Sequence, residues 1–274
     1  MGLPVECQRL SLGGTISGST LSGGTLIETS GKNLFVHSTY LGIPGKKSGN
    51  LNTPSRDGQY PRVGSVSGPG KLYGQRNMTL SFIVYGLDDD GLVLTGDQCE
   101  AMEINLDEVK NLLSSEAEII LERDWSDGTT RWIRIEQIGE AFDTPGPVKY
   151  SKQLVVPVVA AYPFWQSETL YTGTVTGTPL AIVNNGNAPI PNLSLSYAGD
   201  AVVTHAAYGA VLEIDGSAGT VIVDCGTRTV TQSGSPADNL LVRNKPYWIR
   251  LPKAGGTLTR TGSNVTVSWR DQWL

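Results

Sequence analysis

The sequence predicts a mainly β protein of two domains: an N-terminal barrel or sandwich of strands carrying one α-helix, then an all-β sandwich. Three observations predict it. Tyr162-Pro163-Phe164-Trp165 forms a rigid aromatic junction near the middle of the 274-residue chain. Pro163 holds the residue before it extended, and the aromatics offer a large apolar anchor. Beyond the junction, short alternating apolar runs are cut by Gly-containing turns about every ten residues. Before it, one stretch alone carries the period of an amphipathic helix. The length suits two domains, read as 1–160 and 163–274, and the 33 glycines suit a chain of many tight turns.

In the first half, Leu34-Phe35-Val36-His37 reads as a strand. Between Tyr40 and Arg76 the composition changes. Six basic residues (Lys46, Lys47, Arg56, Arg62, Lys71, Arg76) stand against Asp57, giving +5 in a chain of net −5, so the remainder carries −10. Four prolines and no sustained period mark this stretch as a long loop. Two readings are open: a solvated loop, or an arm that orders against the acidic surface of a neighbouring subunit. Thr79 to Tyr85 alternates as a half-buried strand. Asp88-Asp89-Asp90-Gly91 lacks the closing ligands of a calcium loop and reads as a polar turn.

The helix is expected to start at Asn105, with Glu108 three residues on as in a capping box, and with Leu106, Val109, Leu112 and Leu113 on one face. Asp107 and Glu108 would then occupy its first turn. Strands follow at Ala117–Glu122, Arg131–Ile138 and Gln153–Tyr162, the first two joined by a turn at Asp127-Gly128.

The second half offers strands at Leu180–Val183, Leu193–Tyr197, Val211–Ile214, Val221–Asp224, Leu240–Val242, Trp248–Leu251, Leu258–Arg260 and Val265–Trp269. Their spacing predicts a sandwich or closed barrel. Asn185-Gly186-Asn187 makes a turn, and Pro189 and Pro191 make the next segment an edge or bent strand.

Chemistry-bearing motifs are missing. His37 and His205 lie far apart, with no Cys or carboxylate partners at zinc-site spacing, and both read as structural. The chain has no nucleophile elbow, no phosphate loop and no dinucleotide fingerprint. Gly64 to Leu72 fails the phosphate-loop pattern, because Leu72 stands where Ser or Thr must be. No catalytic residue, metal ligand or cofactor is therefore expected. Cys7, Cys99 and Cys225 are scattered and read as buried thiols of a reducing compartment. Met1–Leu12 lacks signal-peptide architecture and no run reaches membrane-spanning length, so a soluble protein without export signal is expected. Tyr40, Tyr60 and Tyr73 are too sparse for a nucleic-acid stacking platform.

The order of features resembles the distal tail proteins of long-tailed, non-contractile (siphovirus-type) bacteriophages. The matching elements are Pro163-Phe164-Trp165, then Asn184-Asn185-Gly186-Asn187-Ala188-Pro189-Ile190-Pro191 and Leu212-Glu213-Ile214-Asp215. Trp248-Ile249-Arg250-Leu251 before Gly255-Gly256 and a last strand Val265–Arg270 complete them. The resemblance implies a split-barrel N-terminal domain with one helix and a long arm, followed by a galectin-like sandwich. It implies a homo-hexameric ring joining the tail tube protein to the baseplate hub protein in the virion, assembled in the host bacterial cytoplasm. DNA would only pass through the channel, and no membrane is involved. Lys46, Lys47, Arg56, Asp57 and Arg62 are the candidate subunit contacts, and Pro163, Phe164 and Trp165 the candidate interdomain anchor. The alternatives are a galectin-like carbohydrate-binding module, with Trp269 and Trp273 near its binding face, an uncharacterised hydrolase, and another tail-tip or hub structural protein.

Overall fold

The structure, a computed structural model, describes residues 75–86, 98–113 (without the side chain of Leu112), 119–125, 127–146, 150–207, 209–242 and 248–274. It also describes the strand backbones at 10–12, 15–17, 20–22, 25–26, 34–40, 50–52 and 59–61. The described residues are mainly strand, paired antiparallel, with one α-helix. They fall into two compact units that divide between Glu168 and Thr169.

In the first unit, strands run in the spatial order Thr25–Leu26, Leu10–Leu12, Ile119–Asp124, Thr130–Gln137, Ser151–Ala160, Arg76–Tyr85 and Leu34–Tyr40. The strand Thr130–Gln137 changes partners along its length. Thr130 to Ile135 pair with Ile119–Asp124, whereas Glu136 and Gln137 pair with Val159 and Val158. A strand shared in this way turns the corner between two sheets. Arg76–Tyr85 lies between two neighbours, so Met78, Leu80, Phe82, Ile83 and Val84 are all buried. Burying each such side chain contributes about 1.5–3 kcal/mol. The turn predicted at Asp127-Gly128 is present, with Gly128 at φ +79°, a conformation that favours glycine. A strand missed in the sequence, Phe142–Pro145, pairs with Lys152 to Val155. Opposite the gap between Gln137 and Phe142 lies Pro157, whose missing N–H suits an interrupted ladder.

The helix runs Gln98–Leu113, starting seven residues before the expected Asn105. Asn105 is therefore no cap. Its Nδ2 donates to Tyr85 O at 2.8 Å and ties the helix to the strand behind it. The apolar stripe extends backwards through Ala101 and Met102, both buried along with Leu106, Val109 and Leu113. Asp107 and Glu108 consequently sit in the helix interior, and Glu100 is the acid of the first turn.

A short hairpin, Asn50–Asn52 with Gln59–Pro61, occupies part of the stretch read as a loop. Arg76, counted with that loop, is instead the first residue of its strand and only 1% exposed. A register shift between Val36 and Ser38 leaves His37 at an irregularity of its strand. The Asp88–Gly91 turn, Gly64–Leu72 and Cys7 lie outside the described residues.

The second unit is a two-sheet sandwich. One sheet has the order Tyr171–Val175, Val265–Trp269, Ser194–Tyr197, Val221–Asp224, Thr229–Gln232, Ser235–Pro236; the other runs Leu180–Ile182, Gly256–Gly262, Ala201–His205, Val211–Ile214. Alternate residues of both close one core, among them Leu195, Tyr197, Val223, Val267, Val203, Leu212 and Leu258, all fully buried. On the outer side of the larger sheet, the register lines up two rows of short polar side chains. Thr172, Ser268, Ser194, Asp224 and Thr229 form one row; Thr174, Thr266, Ser196, Ile222 and Thr231 form the other. None of these is buried.

Two expected strands are absent as such. Leu240 closes a short 3-10 turn, Asp238–Leu240, and Leu241 makes a single bridge to Ile214. In Trp248–Leu251 only Leu251 is bridged, to Ile190. Ile249 and Leu251 are buried in the core without a continuous ladder, and Pro252 offers no donor to extend one. The Asn184–Asn187 turn is pressed against the C-terminal strand: Asn185 N and Nδ2 donate to Asp271 at 3.2 and 2.8 Å. Asn184 Oδ1 accepts from Gly186 N and Gln272 N. A Cβ on Gly186 would strike the Gln272 carbonyl, so this position requires glycine.

Candidate assembly surface

Lys46, Lys47, Arg56, Asp57 and Arg62, named as subunit contacts from the sequence, lie outside the described residues. In sequence, Arg56 and Asp57 fall between the two strands of the hairpin Asn50–Asn52/Gln59–Pro61, and Arg62 follows it directly. Pro163, Phe164 and Trp165 are described and buried. Phe164 makes an edge contact with Tyr162 at 5.5 Å. Trp165, 1% exposed, opens the strand Trp165–Ser167, which pairs with Arg131 and Trp132. Its ring meets Trp125 edge-on at 5.9 Å. Trp125 in turn carries the guanidinium groups of Arg123 and Arg131, each 4.6 Å from its ring centroid. Arg131 is also paired with Asp127, so one turn of chain aligns two cations on one indole.

The helix presents its other face to water. Glu100, Glu103, Ile104, Asp107 and Glu108 are exposed there, Ile104 at 53%. Their spacing of three and four places them along one stripe. Where this stripe borders the Phe142–Ala160 hairpin, four charges interlock. Lys152 Nζ lies 2.6 Å from Glu103 Oε1 and 3.1 Å from Asp143 Oδ2, and Lys110 Nζ lies 3.4 Å from Asp143 Oδ1. The hydrogen bond from Lys152 holds the Asp143 carboxyl below the usual carboxylate range. The bonds to Glu103 and Asp143 raise the Lys152 ammonium above its ordinary value. Beside this network a cavity of about 380 Å³ is lined by Cys99, Met102, Asp143, Pro145, Tyr150 and Lys152, among others. Reading the helix from Asn105 hid this surface. The recurrence of acids at 100, 103 and 107 was the signal that could have found it.

The remaining candidates are structural in placement. Among the described residues no three His, Cys, Asp or Glu side chains gather as a metal site. His205 is 1% exposed, and burial lowers its pKa. Trp269 stacks on Tyr171 at 5.9 Å and is buried in the sandwich core, which takes it away from any exposed lectin face. Cys225 is buried, as expected, whereas Cys99 is exposed at the start of the helix. No helix among the described residues is long and apolar enough to cross a membrane.

No protein-family model matches the chain, and no curated protein matches it. Solved structures do. The SPP1 Dit (gp 19.1) protein, described as a paradigm of the hub adsorption apparatus in phages infecting Gram-positive bacteria, superposes with a TM-score of 0.62 at 13% identity, over 97% of this chain and 99% of its own. Chains of the phage P2 baseplate in its activated conformation, with Ca or with Sr, give TM-scores of 0.48 and 0.45 at 7% identity. The coverage for these is 96% and 95% of this chain, and 97% of theirs. At 13% identity the likeness is one of fold: over nearly its whole length this chain has the architecture of a siphophage distal tail protein.

Proposed function

We propose that this chain is a structural protein of a bacteriophage tail tip and works by self-assembly. Six copies form a ring that joins the tail tube to the baseplate hub and leaves a central channel through which DNA passes unheld. The near-full-length likeness to SPP1 Dit carries this reading. The mechanism is burial of complementary patches on the two sides of each subunit, a head-to-tail arrangement whose closure fixes the copy number. Residues 1–160 form the ring, residues 163–274 project from it as a galectin-like sandwich, and Pro163, Phe164 and Trp165 hold the junction. Lys46, Lys47, Arg56, Asp57 and Arg62 act between subunits. The protein needs no cofactor and performs no catalytic step. It resides in the virion after assembly in the host cytoplasm.

The test is the mass of the purified protein by light scattering, followed by negative-stain imaging of any large species. Rings of six copies with a central hole are expected. Changing Arg56→Glu together with Arg62→Glu is expected to weaken rings while leaving the thermal transition in place; intact rings would remove those two residues from the interface. A monomer that binds glycans on an array would replace this reading with that of a carbohydrate-binding module.

A further inference from the structure

We infer that the outward face of the helix Gln98–Leu113, with the cavity beside it, receives the basic stretch 46–71 of a second copy of this chain. The inference rests on the ring reading above and names the surface that closes it.

Charge is the first argument. The helix carries Glu100, Glu103, Asp107 and Glu108 against Lys110, a net −3. Lys110 and Lys152 are already engaged with Asp143 and Glu103. Among the described residues, no lysine or arginine pairs with Glu100 or Asp107. The stretch 46–71 holds Lys46, Lys47, Arg56, Arg62 and Lys71 against Asp57, a net +4. Arg76 is not available to it, being buried in its strand.

Shape is the second. The cavity pairs an apolar lining from Met102 and Pro145 with the Asp143 carboxylate. That combination suits a lysine or arginine side chain, whose aliphatic stem packs while its cationic head meets a carboxylate. Ile104 supplies apolar surface at the centre of the stripe.

Position is the third, and it selects a second copy. Tyr40 pairs with Thr79, so the basic stretch leaves and rejoins the sheet at the Arg76 end of the strand Arg76–Tyr85. The helix begins at the other end, where Gly86 abuts Gln98 and Ser151 of the cavity pairs with Tyr85. Ten strand residues separate the two by about 30 Å. Patches of opposite sign at opposite ends of one unit meet head to tail, which is how rings arise.

The experiment uses the full chain. An equal mixture of unlabelled and uniformly ¹⁵N-labelled protein is assembled and treated with a zero-length carbodiimide, which joins carboxylates to lysines. Peptides linking 98–113 to 46–71 are expected in mixed-isotope form. Same-isotope links alone would assign the contact to a chain's own stretch and overturn the inference. In parallel, Glu100→Lys with Asp107→Lys, both exposed and outside the ion network, is expected to raise the concentration for half-assembly about tenfold or more. Mixing this variant with Lys46→Glu/Lys47→Glu protein should restore assembly between the two. Rings formed equally well by the Glu100→Lys/Asp107→Lys variant would overturn the inference and leave the ring reading standing. Wild-type protein that stays monomeric at every concentration would remove both.

Discussion

Asp143 and Lys152 meet diagonally across the hairpin of Phe142–Pro145 and Ser151–Ala160, Oδ2 to Nζ at 3.1 Å, and Lys152 carries the contact on to Glu103 of the helix. A helix packed on a sheet by apolar contacts alone can slide; this bridge fixes it laterally. The signs of the two shifts set its pH window. The Asp143 pKa is depressed from 3.8, so its contribution is present above that value and lost as pH falls through the lower folded value. The Lys152 pKa is raised from 10.5, so its contribution is complete below that value and lost as pH rises through the higher folded one. Lys152→Met should therefore lower stability at neutral pH by about 0.5–1 kcal/mol, less in high salt. Denaturant melts of the two proteins should converge at strongly acidic and strongly alkaline pH. A difference that persists there would mean that the lysine acts through packing.

Arg76 behaves oppositely. It is fully buried, its Nε and Nη2 have no hydrogen-bond partner, and burial alone lowers its pKa to about 10. A buried cation with no acid to answer it costs stability. Arg76→Met is expected to leave the melting temperature unchanged or to raise it. A loss of more than about 3 kcal/mol would be the signature of a broken buried ion pair instead.

Gly186→Ala tests the turn that holds the C-terminal strand. The added methyl group must displace the Gln272 backbone, which also accepts from Ala188 N at 3.0 Å. A cost of about 1–3 kcal/mol is expected, as for other overpacked sites. Calorimetry on the full chain reads it, and an unchanged melt would show that the strand yields freely.

The cysteines should separate by reactivity. Burial pushes the Cys225 thiol up from 9.0 to about 12, so at pH 8 its thiolate fraction is about a thousandfold below that of an ordinary thiol. Mass spectrometry after brief alkylation of native protein should find the Cys99 peptide modified and the Cys225 peptide intact. Cys225 should react only in denaturant.

Much of the architecture was legible because it rests on period. Val211–Ile214, Val221–Asp224 and Val265–Trp269 alternate cleanly and are strands with the expected bounds. The helix was legible in kind but not in extent. Gln98 to Ile104 mixes two acids and a cysteine with only a partial apolar stripe, so Asn105 offered the stronger local signal, and tertiary burial of Ala101 and Met102 decided otherwise. Trp248–Leu251 failed for the converse reason. An apolar run records burial, and Ile249 and Leu251 are buried, but a ladder needs a partner edge that only the fold supplies. The acidic stripe and its cavity join the helix to the Phe142–Pro145 hairpin more than thirty residues later, a proximity that no local pattern encodes.

The two polar rows on the larger sheet of the second unit have a colloidal consequence. Eight of their ten side chains are serine or threonine, and only Asp224 among them titrates. The wetness of that wall is thus set by neutral hydroxyls, and neither ionic strength nor acidity will strip it. Ile222 interrupts it singly, at 46% exposure, too small an island to seed sticking. Copies crowded together at this face would meet hydrated surface and slide apart, which leaves adhesion to the charged and apolar parts of the chain.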